Sequence, residues 1–313
     1  MDENVVIGKS TKYPLGGVLS LPQDISEKVP AVVLVHGSGV ADRDETICAN
    51  KPFRDIAEYL PTKGIAVLRY DKRTFVYGKQ MLKDDFGKMT VEQETIEDAV
   101  LASDLLKSDA RIDADRVYIL GHSLGGMLAP RIDAVGGNFA GIIIFAGSPR
   151  SLSDIMIGQG EDLTGQLGRI LSKIAAKQVA ALKAKFDAVP AMTAEQAQKT
   201  KVVGKTHAWY FKEMNEHPAS DYLSVLDKPV LILQGEKDFH VTVEKDFNLY
   251  KQMLADKPNV KFKLYPGLNH LFMKSIYGTV KTYKKEYKIP GKVNPGVLND
   301  IAEWIRSFYN NNN

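Results

Sequence analysis

Gly121-His122-Ser123-Leu124-Gly125-Gly126 sets a serine between glycines where an apolar run, Val117-Tyr118-Ile119-Leu120, gives way to a helix-like stretch from Met127 to Ile132. A G-x-S-x-G segment at a strand-to-helix junction is a nucleophile elbow. The turn is tight enough that a Cβ on a flanking residue would collide with neighbouring backbone, which calls for glycine there. The serine hydroxyl then stands clear of the strand end, and the helix N-terminus behind it offers free N–H groups to negative charge. The chemistry this suits is acyl transfer with Ser123 as nucleophile. By itself the segment also fits a glycine-rich turn carrying an incidental serine.

Acyl transfer passes through a tetrahedral intermediate with a charged oxygen, and two aimed backbone N–H groups stabilise it; losing one such donor costs about a hundred- to a thousandfold in rate. One donor is the residue after the nucleophile, here Leu124, and the other comes from the loop after an earlier strand. Ala31 to Val35 reads as a buried strand running into His36-Gly37-Ser38-Gly39. The second donor is placed at Ser38, with Gly39 as the close alternative; a merely flexible turn is the competing reading.

Six histidines are candidates for the base: His36, His122, His207, His217, His240 and His270. A base must come within hydrogen-bond reach of the serine hydroxyl. His36 and His122 sit inside the two loops above and suit bracing backbone. His207 and His217 fall in a polar helical region. His270 follows the strand Val260 to Tyr265 and the turn Pro266-Gly267-Leu268-Asn269, where a loop can swing over the elbow. For the acid, the apolar strand Pro229-Val230-Leu231-Ile232-Leu233 ends in Gly235-Glu236-Lys237-Asp238. A carboxylate at Asp238 would hold the imidazole tautomer and stabilise the imidazolium. Glu236, Asp227 and Asp154 are substitutes, and capping of the next helix is the structural alternative for Asp238. The order Ser123, Asp238, His270 is neither that of chymotrypsin nor that of subtilisin.

These residues need a scaffold that brings strand ends together. Apolar runs of strand length occur at Gly17–Leu21, Ala31–His36, Ile65–Tyr70, Arg116–Leu120, Gly141–Ala146, Pro229–Gln234 and Lys261–Tyr265. Such continuous runs mean burial on both faces, as in a parallel sheet covered by helices. Thr90-Val91-Glu92-Gln93 is a capping box, followed by Ile96, Val100, Leu101 and Leu105 at helical spacing. Further helices are expected near Phe53–Thr62, Ser123–Ala134, Val243–Ala255 and Val297–Phe308. The βαβ rhythm predicts a doubly wound, mostly parallel α/β sheet with ligands at strand C-termini, where every catalytic candidate falls.

The rhythm breaks between Ser148 and Leu226. Leu167, Ile170, Leu171, Ile174, Val179 and Leu182 suggest amphipathic helices, interrupted by Pro190 and the polar stretch Thr193–Lys201. Residues 149–226 are expected to form a helical cap inserted into a core made of 1–148 and 227–313. A cap excludes water and shapes the pocket. A side lobe is the alternative, and a membrane-binding helix fits less well because the apolar faces are needed to cover the core.

Composition narrows the classes. A hydrophobic share of 44% allows a sizeable core, and a net charge of +3 lacks the concentrated basic surface that nucleic acid requires. Lys281, Lys284, Lys285 and Lys288 read as a solvated helix or loop. The single cysteine, Cys48, permits no internal disulfide and reads as a passive thiol. The acidic start Met1-Asp2-Glu3-Asn4 is unlike a secretory signal, and no run approaches the about 18 apolar residues of a membrane span. A cytoplasmic protein with no membrane partner is expected, ending in a frayed polar tail, Tyr309-Asn310-Asn311-Asn312-Asn313. Gly8-Lys9-Ser10 lacks the earlier glycine of a P-loop, since Glu3 stands there; Gly37-Ser38-Gly39 lacks the third glycine of a dinucleotide fingerprint, since Asp42 stands there. Zinc-binding spacings are missing from the sequence, so no metal or other cofactor is expected.

The chain resembles the α/β-hydrolase superfamily from about Val18 to Tyr309, and within it a bacterial serine-esterase group related to prolyl-oligopeptidase-type and dienelactone-hydrolase-type domains. The resembling segments are His36-Gly37-Ser38-Gly39-Val40-Ala41-Asp42-Arg43-Asp44, Leu68-Arg69-Tyr70-Asp71-Lys72-Arg73, Gly121 to Gly126, Gln234 to Asp238 and Leu268-Asn269-His270-Leu271-Phe272. The resemblance implies the α/β-hydrolase fold and a carboxylic-ester hydrolase without metal or organic cofactor, with Ser123 as nucleophile, Asp238 as acid and His270 as base. Some relatives carry a small domain before the hydrolase; here the first strand-like run, near Tyr13, leaves no room for one. His240 stands where the group's pattern has a neutral polar residue. The expected partner is a small-molecule ester, such as an acetylated sugar, a hydroxycinnamate or a lipid-derived ester. A peptidase or amidase on short peptides, an acyltransferase and a non-catalytic hydrolase-fold binding protein are the alternatives.

Overall fold

A computed structural model describes residues 1–84 and 87–308, so the polar tail from Tyr309 onward lies outside the described residues. The strands are β1 (Asp2–Ile7), β2 (Leu15–Ser20), β3 (Val29–Val35), β4 (Ala66–Tyr70), β5 (Ile112–His122), β6 (Ile142–Phe145), β7 (Lys201–Val203), β8 (Thr206–His207), β9 (Val230–Gly235) and β10 (Val260–Tyr265). Eight of them form one sheet in the order β1-β2-β4-β3-β5-β6-β9-β10. β1 and β2 pair antiparallel and β2 pairs antiparallel with β4; from β4 through β3, β5, β6 and β9 to β10 every pairing is parallel.

The apolar runs do what their continuity implies. Along β3, Val33 and Val35 enter the core on one face of the sheet while Val32 and Leu34 enter the core on the other. The second core is closed by the helices Pro52–Tyr59 and Pro295–Ser307, through Phe53, Ile56, Ile301 and Trp304. The first is closed by Glu97–Ser108 and Leu124–Ile132, through Ala99, Ala102, Leu106 and Leu128. Alternation of side chains along each strand thus fills two cores from one uninterrupted apolar segment.

All seven expected strands are present. β1 was not expected, because Asp2, Glu3 and Asn4 are poor strand formers. It is an outer strand whose alternate residues face solvent, so polar residues are tolerated and a single buried residue, Ile7, anchors it. The helix Arg73–Asp84 was also not expected; it buries only Arg73 and Met81, too little for an apolar stripe. The expected Phe53–Thr62 helix stops at Tyr59, and Pro61 lies in a 3₁₀ turn, Leu60–Lys63, consistent with proline's missing N–H. At Thr90 half of the capping box forms: Gln93 accepts from the Thr90 N–H at 2.9 Å, while Thr90 Oγ1 accepts from Glu92 rather than Gln93.

Between β6 and β9 lie the helices Leu152–Gly165, Arg169–Ala188, Ala194–Lys199, Ala208–Glu216 and Ala219–Val225, with β7 and β8 as a small antiparallel hairpin. The polar stretch expected to interrupt the helices instead starts one, because Thr193 and Gln196 form a complete capping box. The apolar face of Arg169–Ala188 divides. Phe186 is buried, whereas Ile170, Leu171 and Ile174 are 78%, 59% and 52% exposed, so these three do not cover the core as expected. Among the described residues no helix is long and apolar enough to cross a membrane.

Candidate active site

β3 and β5 are neighbours, and the chain leaves them in opposite directions across the sheet, β3 to β4 and β5 to β6. The crevice at their C-terminal ends is the switch point where open α/β sheets bind ligands. The Gly37–Gly39 loop leaves β3 there, and Ser123 follows β5 there.

Ser123 adopts φ 53° and ψ −115°, a conformation an L-residue takes only when the surroundings impose it. Its N–H donates to the Phe145 carbonyl at 2.9 Å, and its carbonyl accepts from Met127 at 3.0 Å, joining strand edge to helix start. A Cβ at Gly121 would lie 2.1 Å from the Gly125 oxygen, and one at Gly125 would lie 2.3 Å from the Val35 oxygen. The glycines are therefore set by backbone approach across the elbow and onto β3. Leu124, the expected oxyanion donor, is the first residue of the helix Leu124–Ile132.

The C-terminal ends of β9 and β10 hold the next two residues side by side. Glu236 N–H donates to Tyr265 O at 2.9 Å and Lys237 N–H to Leu268 O at 2.8 Å, tying the two loops together. His270 Nδ1 donates to Asp238 Oδ2 at 2.7 Å. Asp238 Oδ2 also accepts from Gln234 Nε2 at 2.9 Å, and Oδ1 accepts from the N–H groups of His240 and Val241 at 2.8 and 3.0 Å. Burial pushes the Asp238 carboxyl up, but the adjacent His270 ring and these donors outweigh it and hold the group below its ordinary value. With Nδ1 committed to Asp238, a neutral His270 carries its lone pair on Nε2. Asn269 shapes the loop: its Oδ1 accepts from Leu271 and Met273, and its Nδ2 donates to Glu286.

The other carboxylates considered for the acid lie elsewhere. Asp154 is exposed and accepts from Ser151 Oγ at 2.7 Å. Glu236 is exposed and accepts from Gly267, and Asp227 lies exposed before β9 begins. Asp238 does not cap the following helical turn; Thr242 does, accepting from Lys245. The other histidines sort by contact. His36 Nε2 meets the Asp42 carbonyl at 3.0 Å, and burial pushes its pKa down to about 4. His217 is exposed beside Tyr222, and His207 lies on β8. His240 packs against His270 and Tyr287, with ring centroids 5.1 and 5.9 Å away; burial, then the charge of His270, pushes it down to about 3. A neutral ring thus stands where a neutral polar residue was expected, so the Asp238 loop gains no charge there.

Ser123, Leu124, His270, Gly37, Ser38 and Gly39 all line one cavity of about 690 Å³. Its remaining wall is mostly apolar, with Met127 joined by Leu152, Ile155, Met156, Val203 and Phe211 from the 149–226 segment. Three buried residues here carried no role in the sequence reading. Glu45 Oε1 accepts from the Gly37 N–H at 2.8 Å. Lys72 Nζ donates to the Gly37 carbonyl at 2.9 Å and lies 2.8 Å from Glu94 Oε1. Both Glu45 and Lys72 belong to or adjoin motif segments, but only the fold brings them to Gly37.

The sequence family described as serine aminopeptidase, S33 matches residues 27–275. Esterase EstD from Thermotoga maritima is 39% identical over 291 residues, covering 93% of this chain. The chain spans about two-thirds, 65%, of that protein's length. Among solved structures, Est1E from Butyrivibrio proteoclasticus superposes with a TM-score of 0.58 at 17% identity, covering 98% of this chain and 97% of its own. Proline iminopeptidase from Mycobacterium smegmatis superposes with a TM-score of 0.59 at 16% identity, covering 97% and 98%. The eight-stranded sheet, the elbow after β5 and the extent of the sequence match together establish that this chain belongs to the serine aminopeptidase S33 family, with the α/β-hydrolase fold.

Proposed function

We propose that the protein is a serine carboxylesterase acting on small or medium acyl esters through an acyl-enzyme. The observation that carries this is the convergence of Ser123, in its strained elbow conformation, and His270, bonded to buried Asp238, on one cavity. Ser123 Oγ attacks the ester carbonyl, and His270 Nε2 takes the hydroxyl proton. Asp238 stabilises the imidazolium, and the N–H groups of Ser38 and Leu124 hold the oxyanion. His270 then returns the proton to the departing alkoxide as the C–O bond breaks. Water, activated by the same imidazole, clears the acyl group. Residues 149–226 serve as a cap over this site, supported by the side chains they contribute to the cavity wall. A cytoplasmic location belongs to the same reading, supported by a single cysteine and hence no internal disulfide.

The family's description as serine aminopeptidases and one structural neighbour favour a second reading, release of N-terminal residues from peptides. An aminopeptidase needs a carboxylate to receive the substrate's free amine. Among the described residues the acids lining the cavity are Glu45 and Glu94; Glu45 is engaged by His122 and Gly37, and Glu94 by Lys72 and Tyr210. The esterase named as a relative and the apolar wall support ester substrates instead. Purified protein assayed on p-nitrophenyl esters of increasing acyl length and on aminoacyl p-nitroanilides separates the two. Ester turnover that disappears in Ser123→Ala is expected; turnover confined to the anilides would overturn the proposal.

A further inference from the structure

We propose that Lys72 is a positioning residue of the oxyanion hole, its buried ammonium holding the Gly37 carbonyl so that the Ser38 N–H is aimed and polarised toward the substrate oxygen. The inference rests on the serine-hydrolase reading above and concerns how one of its two donors is built.

Lys72 is 2% exposed, and its Nζ lies 2.9 Å from the Gly37 oxygen. Among the described residues every peptide bond is trans. In a planar trans peptide the C=O and the following N–H point in opposite directions. Tying the Gly37 oxygen to Lys72 therefore fixes the Ser38 N–H on the far side of the same plane. The preceding peptide is fixed as well, because the Gly37 N–H donates to Glu45 at 2.8 Å. Gly37 itself is pressed against the nucleophile: a Cβ there would sit 3.1 Å from Ser123 Cβ. The loop is held again at Lys72's own backbone, whose N–H donates to Ala41 O at 3.1 Å.

The choice of lysine matters. A buried ammonium is costly unless paired, and a neutral donor would satisfy a carbonyl equally well. Here the ammonium is paired with Glu94 at 2.8 Å, and Glu94 in turn accepts from Tyr210. A cation on a carbonyl oxygen draws electron density through the amide and strengthens its N–H as a donor. It also adds positive potential behind the position where the oxyanion forms. Both effects grow as charge develops on the substrate, so they favour the transition state over bound substrate.

The test is steady-state hydrolysis of p-nitrophenyl butyrate by Lys72→Met, with inhibition by phenylboronic acid, which forms a tetrahedral adduct on the serine. The expected result is a fall in kcat of about ten- to a hundredfold with KM within about twofold, and a boronate Ki raised by a similar factor. Arg73→Met is the structural control: its guanidinium is also buried, in an ion pair with Asp98, and makes no hydrogen bond to Gly37. That variant should lose thermal stability while keeping kcat and KM. A folded Lys72→Met enzyme with kcat within about threefold of the parent, or one impaired through KM alone, would overturn the proposal. If Lys72→Met does not fold, Lys72→Met/Glu94→Gln, which leaves no unpaired buried carboxylate, is scored on the same outcomes. Should the parent cleave amides and not esters, the esterase reading fails, but the same split between kcat and KM on the amide still decides the role of Lys72.

Discussion

Glu45 and His122 meet in the interior beneath the elbow, Oε2 to Nδ1 at 2.9 Å, with side chains 4% and 2% exposed. The contact is an ion pair more than an aligned hydrogen bond, since neither atom completes hydrogen-bond geometry. The other ring nitrogen, Nε2, lies 3.1 Å from the His270 carbonyl. Glu45 also carries the Gly37 N–H, so one ion pair connects the Gly37–Gly39 loop, the elbow and the loop that carries His270. Burial pushes the His122 ring down and the Glu45 carboxyl up, yet their mutual attraction outweighs both, leaving His122 above and Glu45 below its ordinary value.

That pair predicts a stability window. The Glu45 contribution is fully present above the ordinary carboxyl value of 4.5 and fades as pH falls from there through the lowered folded value. The His122 contribution is fully present below 6.5 and fades as pH rises through the raised folded value. The difference in Tm between the parent and Glu45→Gln is therefore expected to peak between these two values and narrow on either side. A difference in Tm that is constant with pH would show that the pair is uncharged.

His240 acts in the opposite sense. Its ring is neutral in the fold down to about 3 but binds a proton near 6.5 when unfolded. The unfolded state therefore holds more protons between those values, and stability falls as pH is lowered across that range. His240→Gln should flatten this acid limb in calorimetry. The histidine ring resonances of the parent should include one that does not titrate above about pH 4.

Asp238→Asn keeps the shape of the acid loop but offers His270 Nδ1–H a neutral partner. On the proposed mechanism kcat falls by about a thousand- to ten-thousandfold with Tm little changed. Asp154→Asn, at an exposed helix start, should leave ester turnover unaltered. If Asp154→Asn is the damaging variant, the acid has been misassigned.

Gly125→Ala places a methyl group 2.3 Å from the Val35 carbonyl and 2.7 Å from that of His36. Both carbonyls lie at the end of β3, a strand held between β4 and β5, so the backbone cannot retreat and the variant is expected to lose about 3 kcal/mol of stability. Chemical denaturation monitored by Trp fluorescence checks this, and a wild-type midpoint would mean that the elbow relaxes.

The sequence by itself determined the scaffold and the candidate residues. Apolar continuity in segments such as Ala31–Val35 and Pro229–Leu233 dictates strands buried on both faces. The serine between glycines, the aspartate after one strand and the histidine after the last can all be read because each sits at a junction with its own local signature. Asp2–Ile7 could not be read, since an outer strand with one buried anchor carries almost no apolar pattern. The same limit applies to the exposed face at Ile170, Leu171 and Ile174, where helical periodicity gives the stripe but not whether anything covers it. Tertiary structure alone decided the partners of charge. Glu45 with His122, and Lys72 with Gly37 and Glu94, are far apart in the chain, and their pairing depends on which loops the strand order brings to one crevice. Local patterning specifies elements because backbone hydrogen bonding and burial are periodic; an isolated buried ion pair has no period, and only the folded backbone brings its two halves together.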